Sequence, residues 1–348
     1  MAASSDLILL TGATGFLGYK TLVLALQAGY RVRVAVRSQS KAEKILSAPS
    51  IKAINPTSEQ LSWATVPDIT VAGAYDEAAA GVKYIIHIAS PIPTFGADAL
   101  TPEQYEEYFV NAARKATVGI LDSAKKSGTV KRIVITSSVV ANIPFAYFLG
   151  EGDDKIFDAD SRIPIAPGPY SFEFEAYSAS KAAALNDSEA WIRRENPQFD
   201  LISIIPGWIF GRDELSTEPE DFTKGSTNSV LINVLRGEKS GLPYGGNVVH
   251  VDDVAKIHVL ALDSKVSGNQ AFFATSGGVD GVVWEDGFEI IKKHFHKAIT
   301  DGKLSADGEQ QTVLVRIDAS KTEKTFGFKF LGFEEQIKSV VSQYLEVL

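Results

Sequence analysis

The run Thr11-Gly12-Ala13-Thr14-Gly15-Phe16-Leu17-Gly18 constrains this chain more than any other stretch. It follows Leu7-Ile8-Leu9-Leu10, a short apolar run of the kind that forms a parallel strand buried on both faces. A helical pattern then runs from Tyr19 to about Gln27, and Gly29 ends it. Strand, glycine-rich turn and helix in this order make a dinucleotide-binding site. Gly12, Gly15 and Gly18 allow a tight turn and a close approach of backbone to pyrophosphate, and the helix start presents free N–H groups to the phosphates. A glycine triplet alone also fits a plain turn, but here the flanking strand and helix meet the context that the motif requires. Thr14, Phe16 and Leu17 share the turn and are expected at the cofactor. The spacing is GxxGxxG rather than GxGxxG.

Further buried strands follow at Arg31 to Val36, Tyr84 to Ala89, Lys131 to Ile135 and Leu201 to Ile205, with shorter ones at Val248 to Val251, Ala271 to Ala274 and Thr312 to Ile317. Helices are read at Tyr75 to Ala80, Thr101 to Ser127, Tyr177 to about Arg194, Ser229 to Arg236, Val254 to Leu262 (capped by Asp252) and Phe333 to Val347. Thr101-Pro102 suits a helix N-cap and first position. Strands alternating with helices give an α/β fold, a doubly wound parallel sheet of Rossmann type with a smaller α/β substrate-binding lobe. The expected division is 1–206 and 248–274 for the cofactor domain, and 207–247 and 275–348 for the lobe. Asn142 to Phe174 lacks periodicity, is too long for an idle connection, and is expected to cover the site.

Several function classes are excluded. The formal charge of −9 argues against nucleic acid or an anionic membrane as partner. With no cysteine there is neither a disulfide framework nor a thiolate nucleophile. The histidines at 87, 250, 258, 294 and 296 show no metal-binding spacing, so no metal is expected. His87, inside an apolar run, reads as a hydrogen-bonded core residue. No stretch approaches a membrane span, and the N-terminus carries no signal-peptide pattern. A cytoplasmic protein, monomer or homodimer, is expected.

The chemistry points to Glu175-Ala176-Tyr177-Ser178-Ala179-Ser180-Lys181. In a helix Tyr177 and Lys181 stand at i and i+4 on one face. An ammonium beside a phenol favours phenolate and is expected to pull the tyrosine pKa below its free value of about 10. Such a pair also occurs on ordinary solvated faces. What changes the reading is Thr136-Ser137-Ser138 at the C-terminal end of a strand, where ligands bind in open parallel sheets. Ser138 is placed to hydrogen-bond a substrate oxygen. Arg37, at the end of the second strand, stands where an NAD enzyme usually has an acid, with Lys41 and Lys44 beyond. A guanidinium suits the 2′-phosphate of NADP.

With these motifs in order, the chain resembles the extended short-chain dehydrogenases/reductases and, in Pro206-Gly207 and His250-Val251-Asp252-Asp253-Val254-Ala255, their NAD-dependent epimerase/dehydratase-like branch. It is most similar to the dihydroflavonol reductases of plants and the carbonyl, aldehyde and methylglyoxal reductases of fungi, over about residues 6 to 275. The resemblance implies a catalytic Ser138, Tyr177 as acid and Lys181 as its partner on the nicotinamide ribose. It also implies Arg37 at the 2′-phosphate, Asp68 and Ile69 at the adenine, and Pro206, Gly207, Trp208 and Ile209 at the nicotinamide amide. Ala89, Ser90 and Pro91 are expected beside the cofactor. Asn111 is not placed in a proton relay.

The expected activity is hydride transfer from NADPH to a small-molecule carbonyl, a ketone or aldehyde of apolar or aromatic character. Ile92, Phe95, Ser138, Phe145, Tyr170, Phe172, Trp208 and Ser226 are its expected lining. Two alternatives are an NAD-dependent nucleotide-sugar epimerase and an NADP-binding redox sensor without turnover. The Arg37 position and the scarcity of cations in the second lobe disfavour the first, and the presence of both Tyr177 and Lys181 disfavours the second.

Overall fold

A computed structural model describes residues 6–93 and 100–348. Its strands are β1 (Leu7–Thr11), β2 (Arg31–Val36), β3 (Leu61–Thr65), β4 (Tyr84–His87), β5 (Arg132–Thr136), β6 (Asp200–Pro206), β7 (Trp208–Phe210), β8 (Tyr244–Gly245), β9 (Val248–His250), β10 (Gln270–Ala274) and β11 (Thr312–Val313). Seven of them form one parallel sheet in the order β3-β2-β1-β4-β5-β6-β10. The order reverses between β1 and β4, which opens a crevice at the strands' C-terminal ends.

The apolar runs have a simple cause. Side chains alternate across a strand, so a strand covered on both faces needs apolar residues at every position. Ile8 and Leu10 pack under the helices Phe16–Gln27 and Val251–Leu260, against Leu22, Val254 and Ile257. Leu9 faces the other way, toward Ile120, Leu121 and Trp191 of the helices Ala112–Ser127 and Glu173–Glu195. A second core gathers around buried Trp284, where the helices Thr227–Leu235, Asp286–His294 and Phe333–Val347 meet. There β7 pairs with β9 and β8 with β11, both in parallel.

Three elements differ from expectation. The helix over 101–127 is continuous but carries a π-helical stretch, Glu106–Asn111. Asp252 is not a cap. The helix starts at Val251, His250 is the N-cap, and its Nδ1 accepts the Asp252 N–H at 3.1 Å while the Asp252 carboxylate pairs with Lys20 at 2.8 Å. The Thr312–Ile317 strand shrinks to Thr312–Val313, with Ile317 making one isolated bridge to Phe157.

Candidate active site

A cavity of about 1150 Å³ opens at the C-terminal ends of β1, β4, β5 and β6. Its floor is the glycine turn. Gly12 has φ 79°, and a Cβ there would lie 2.8 Å from Ala89 N. A Cβ on Gly18 would lie 2.1 Å from Gly12 O. Both positions therefore exclude a side chain, which explains the motif in packing terms. Thr11 clips β1 to the end of β4. Its Oγ1 accepts the N–H groups of Ile88 and Ala89, each at 3.1 Å. Its proton then goes to His87 Nδ1 at 2.9 Å. Burial pushes the His87 pKa down to about 3, with the Lys181 charge adding to it. His87 is the neutral core histidine expected.

The helix Glu173–Glu195 carries Tyr177 and Lys181 into the cavity from the other side. Lys181 Nζ lies 5.4 Å from the Tyr177 ring centroid and donates to Ser90 Oγ at 3.0 Å. Ser138 follows β5 and lines the same cavity as Tyr177. Burial pushes the phenol up to about 12, an effect that Ser138 partly offsets. Burial also pulls the Lys181 ammonium down to about 8. The expected lowering of the phenol pKa is thus corrected, because desolvation disfavours phenolate here. The consequence is a tyrosine that keeps its proton at neutral pH and can donate it to a more basic oxygen.

Most of the expected contact residues line this one cavity. Gly12, Thr14, Gly15, Phe16, Leu17, Gly18, Arg37, Lys41, Ile69, Ala89, Ser90 and Pro206 to Ile209 are on its wall, as are Ile92, Ser138, Phe145, Phe172, Trp208 and Ser226. Phe95 lies outside the described residues.

Others are not brought there. Tyr170, in the irregular stretch before the Tyr177 helix, is buried against Tyr105, Phe109 and Ala176, with its hydroxyl on Ala166 O at 2.9 Å. Pro91 is off the wall, between Ser90 and Ile92, which are on it. Asp68 closes a turn, accepting from Thr70 N at 2.8 Å and Thr70 Oγ1 at 2.7 Å, and only its neighbour Ile69 faces the cavity. Ser229 turns inward onto Ser226 O at 2.6 Å. Asn111 Nδ2 donates to Glu107 Oε2 at 2.8 Å, away from the cavity.

Sequence reasoning missed Leu242, Pro243 and Tyr244, which also line it. No periodicity marks a face there, and the only signal was Leu242-Pro243-Tyr244 beside a Gly-Gly pair.

The residues fit a bound dinucleotide: a turn stripped of side chains, a helix start behind it, and Arg37, Lys41 and Lys44 farther along the same wall. Fold and site together define a nucleotide-binding Rossmann protein with a Ser-Tyr-Lys group at the crevice. More particularly, the chain belongs to the NAD dependent epimerase/dehydratase family, whose model matches residues 8–272. It is 41% identical to ketoreductase CTB6 of Cercospora beticola, over 99% of this chain and 96% of that protein. It is 27% identical to a putative NADPH-dependent methylglyoxal reductase, GRP2, of Candida albicans, over 99% of both chains. The crystal structure of yeast methylglyoxal/isovaleraldehyde reductase Gre2, complexed with NADPH, superposes with a TM-score of 0.81 at 26% identity, covering 98% of each chain. Among the described residues no helix is long and apolar enough to cross a membrane.

Proposed function

We propose that this chain is an NADPH-dependent carbonyl reductase, acting on an apolar or aromatic ketone or aldehyde. The observation that carries this is Tyr177, with Ser138 and Lys181 around it, facing the same cavity as the glycine turn. NADPH, when bound, supplies the hydride. Ser138 and Tyr177 hydrogen-bond the carbonyl oxygen and stabilise the charge that builds on it. Tyr177 gives its proton to the forming alkoxide, and the Lys181 ammonium then sits beside the phenolate. Arg37, with Lys41, meets the 2′-phosphate. Ketoreductase CTB6 and the NADPH-bound yeast reductase support both halves of the reading. The cofactor domain is taken as 1–206 and 248–274, the substrate lobe as 207–247 and 275–348, and the compartment as the cytosol.

A nucleotide-sugar epimerase would need cations for a diphosphate in the second lobe. Of Arg212, Lys224 and Arg236, only Lys224 is on the cavity wall, paired with Glu220 at 3.1 Å. Arg212 is bound to Glu346 at 2.6 Å.

Optical assay of NADPH oxidation against ketones, aldehydes and sugar nucleotides tests the reading. Aryl ketones and aldehydes should be consumed, with NADPH preferred over NADH by roughly ten- to a hundredfold in kcat/KM, the worth of one charged contact. Arg37→Asp should erase that preference. Equal use of the two cofactors, or turnover of sugar nucleotides alone, would contradict the proposal.

A further inference from the structure

We infer that the cleft selects a flat, multi-ring aryl ketone, whose rings beyond the reacting carbonyl lie along an aromatic rail and end on an apolar rim at Leu149 and Leu242. This rests on the carbonyl-reductase reading and names its substrate class.

The rail starts at Tyr177. Phe174 stacks on it at 5.9 Å between centroids, Trp208 lies parallel to Phe174 at 6.0 Å and 4°, and Tyr244 follows Trp208 at 5.5 Å. All four rings line the cavity. They are held from behind by Trp284, only 1% exposed, which meets Trp208 edge-on at 6.3 Å and Tyr244 at 5.4 Å and donates its Nε1–H to Gly245 O at 3.1 Å. Rings fixed in this way offer apolar area at little entropic cost, and aromatic partners stack on them in offset or edge-on geometry.

Next to Tyr244 the chain exposes Leu242 at 62%, and Leu149 and Phe172, both also on the cavity wall, are 42% and 39% exposed. Single exposed apolar side chains are ordinary. These adjoin the reactive cavity, so the distal end of an occupant reaching Tyr177 covers them. Apart from Glu173 and Lys181 of the Tyr177 helix, the charged side chains of the wall belong to the 37–44 and 213–224 segments. A polar body would find few partners along the rail, and a small aldehyde would leave most of it uncovered.

The test is kcat/KM of the enzyme with saturating NADPH for acetophenone, 2-acetylnaphthalene and 2-acetylphenanthrene. The ratio of the three-ring to the one-ring value should be about tenfold or more in the unmutated protein, from the added apolar burial. It should fall several-fold in Leu242→Asp and in Tyr244→Ala. A ratio near one, or one that Leu242→Asp leaves unchanged, overturns the inference while acetophenone turnover keeps the reductase reading standing. An oligomeric state altered by Leu242→Asp with the ratio unchanged makes the rim a protein interface and equally overturns it. If none of the three ketones consumes NADPH while an aldehyde does, the inference falls and the reductase reading stands; if no ketone or aldehyde consumes it while the enzyme binds it, the reductase reading itself falls.

Discussion

Tyr177 shows how far a single residue could be read from its neighbours. Its spacing to Lys181 put both on one helix face, and the structure keeps them there, 5.4 Å apart from ring centroid to Nζ. Its acidity was not legible, because desolvation depends on what the rest of the chain packs around it. Tyr170 failed for the same reason: an aromatic in an irregular segment has no face until the fold supplies one. If Tyr177 donates the proton, Tyr177→Phe should lower kcat for ketone reduction by about 10²–10⁴. NADPH binding, measured by fluorescence titration, should stay close to normal in that variant. Most of the activity surviving the loss of the hydroxyl would remove Tyr177 from the mechanism.

At the scale of elements, the acidic stretch from Glu214 to Gly225 carries no periodicity in the sequence and reads as a loop. In the structure its start is tied to two distant parts of the chain. Glu214 Oε2 accepts from Tyr19 Oη and Ser50 N, each at 2.9 Å, and its Oε1 accepts from Ser50 Oγ at 2.6 Å. Asp213 N donates to Gln343 Oε1 at 2.7 Å, and Gln343 Nε2 returns a bond to Asp213 O at 2.6 Å. Leu215 and Ser216, which follow directly, line the cavity with the glycine turn. These bonds join residues far apart in sequence, and no local pattern announces them. Losing a hydrogen-bonded carboxylate costs about 1–3 kcal/mol. Glu214→Ala should lower stability to urea by that amount and weaken NADPH binding, with Glu214→Gln retaining part of both. Unchanged urea midpoint and affinity in Glu214→Ala would show the tie to be idle. The strands β1, β4, β5, β6 and β10 of the large sheet were legible because burial on both faces writes a nearly continuous apolar run. The cap at His250 was not, because a histidine acting as an N-cap leaves no such trace.

At the scale of the whole molecule, parallel order follows from the alternation of strands and helices, and the crevice from the order's reversal beside β1. The second lobe was less legible, since its short strands pair across long stretches of chain. Two fully buried histidines contribute to its pH dependence, and His250, also pushed down by burial, adds to them with the same sign. His87 is held neutral by burial, and so is His258, pushed down to about 4. His258 Nδ1–H donates to Val254 O at 2.8 Å, so its Nε2 accepts from Thr136 Oγ1 at 2.7 Å. Both folded-state pKa values lie below the unfolded value near 6.5, so the unfolded chain binds more protons between about pH 3 and 6.5. Stability should be intact above pH 7 and fall as pH drops through 6.5. The two sites together should cost about 2–3 kcal/mol by pH 5.5. Urea unfolding across this range measures it, and His258→Asn should roughly halve the slope. A stability curve flat from pH 7 to 5.5 would mean that these histidines are not held neutral.

The central claim is that this cavity delivers hydride from NADPH to a carbonyl carbon. Reduction of an aryl ketone with NADPH fully deuterated at nicotinamide C4, with the alcohol analysed by mass spectrometry, tests it most directly. The account predicts one deuterium on the carbinol carbon of each product molecule. Alcohol formed without that label, or no alcohol from any ketone or aldehyde offered, would contradict it.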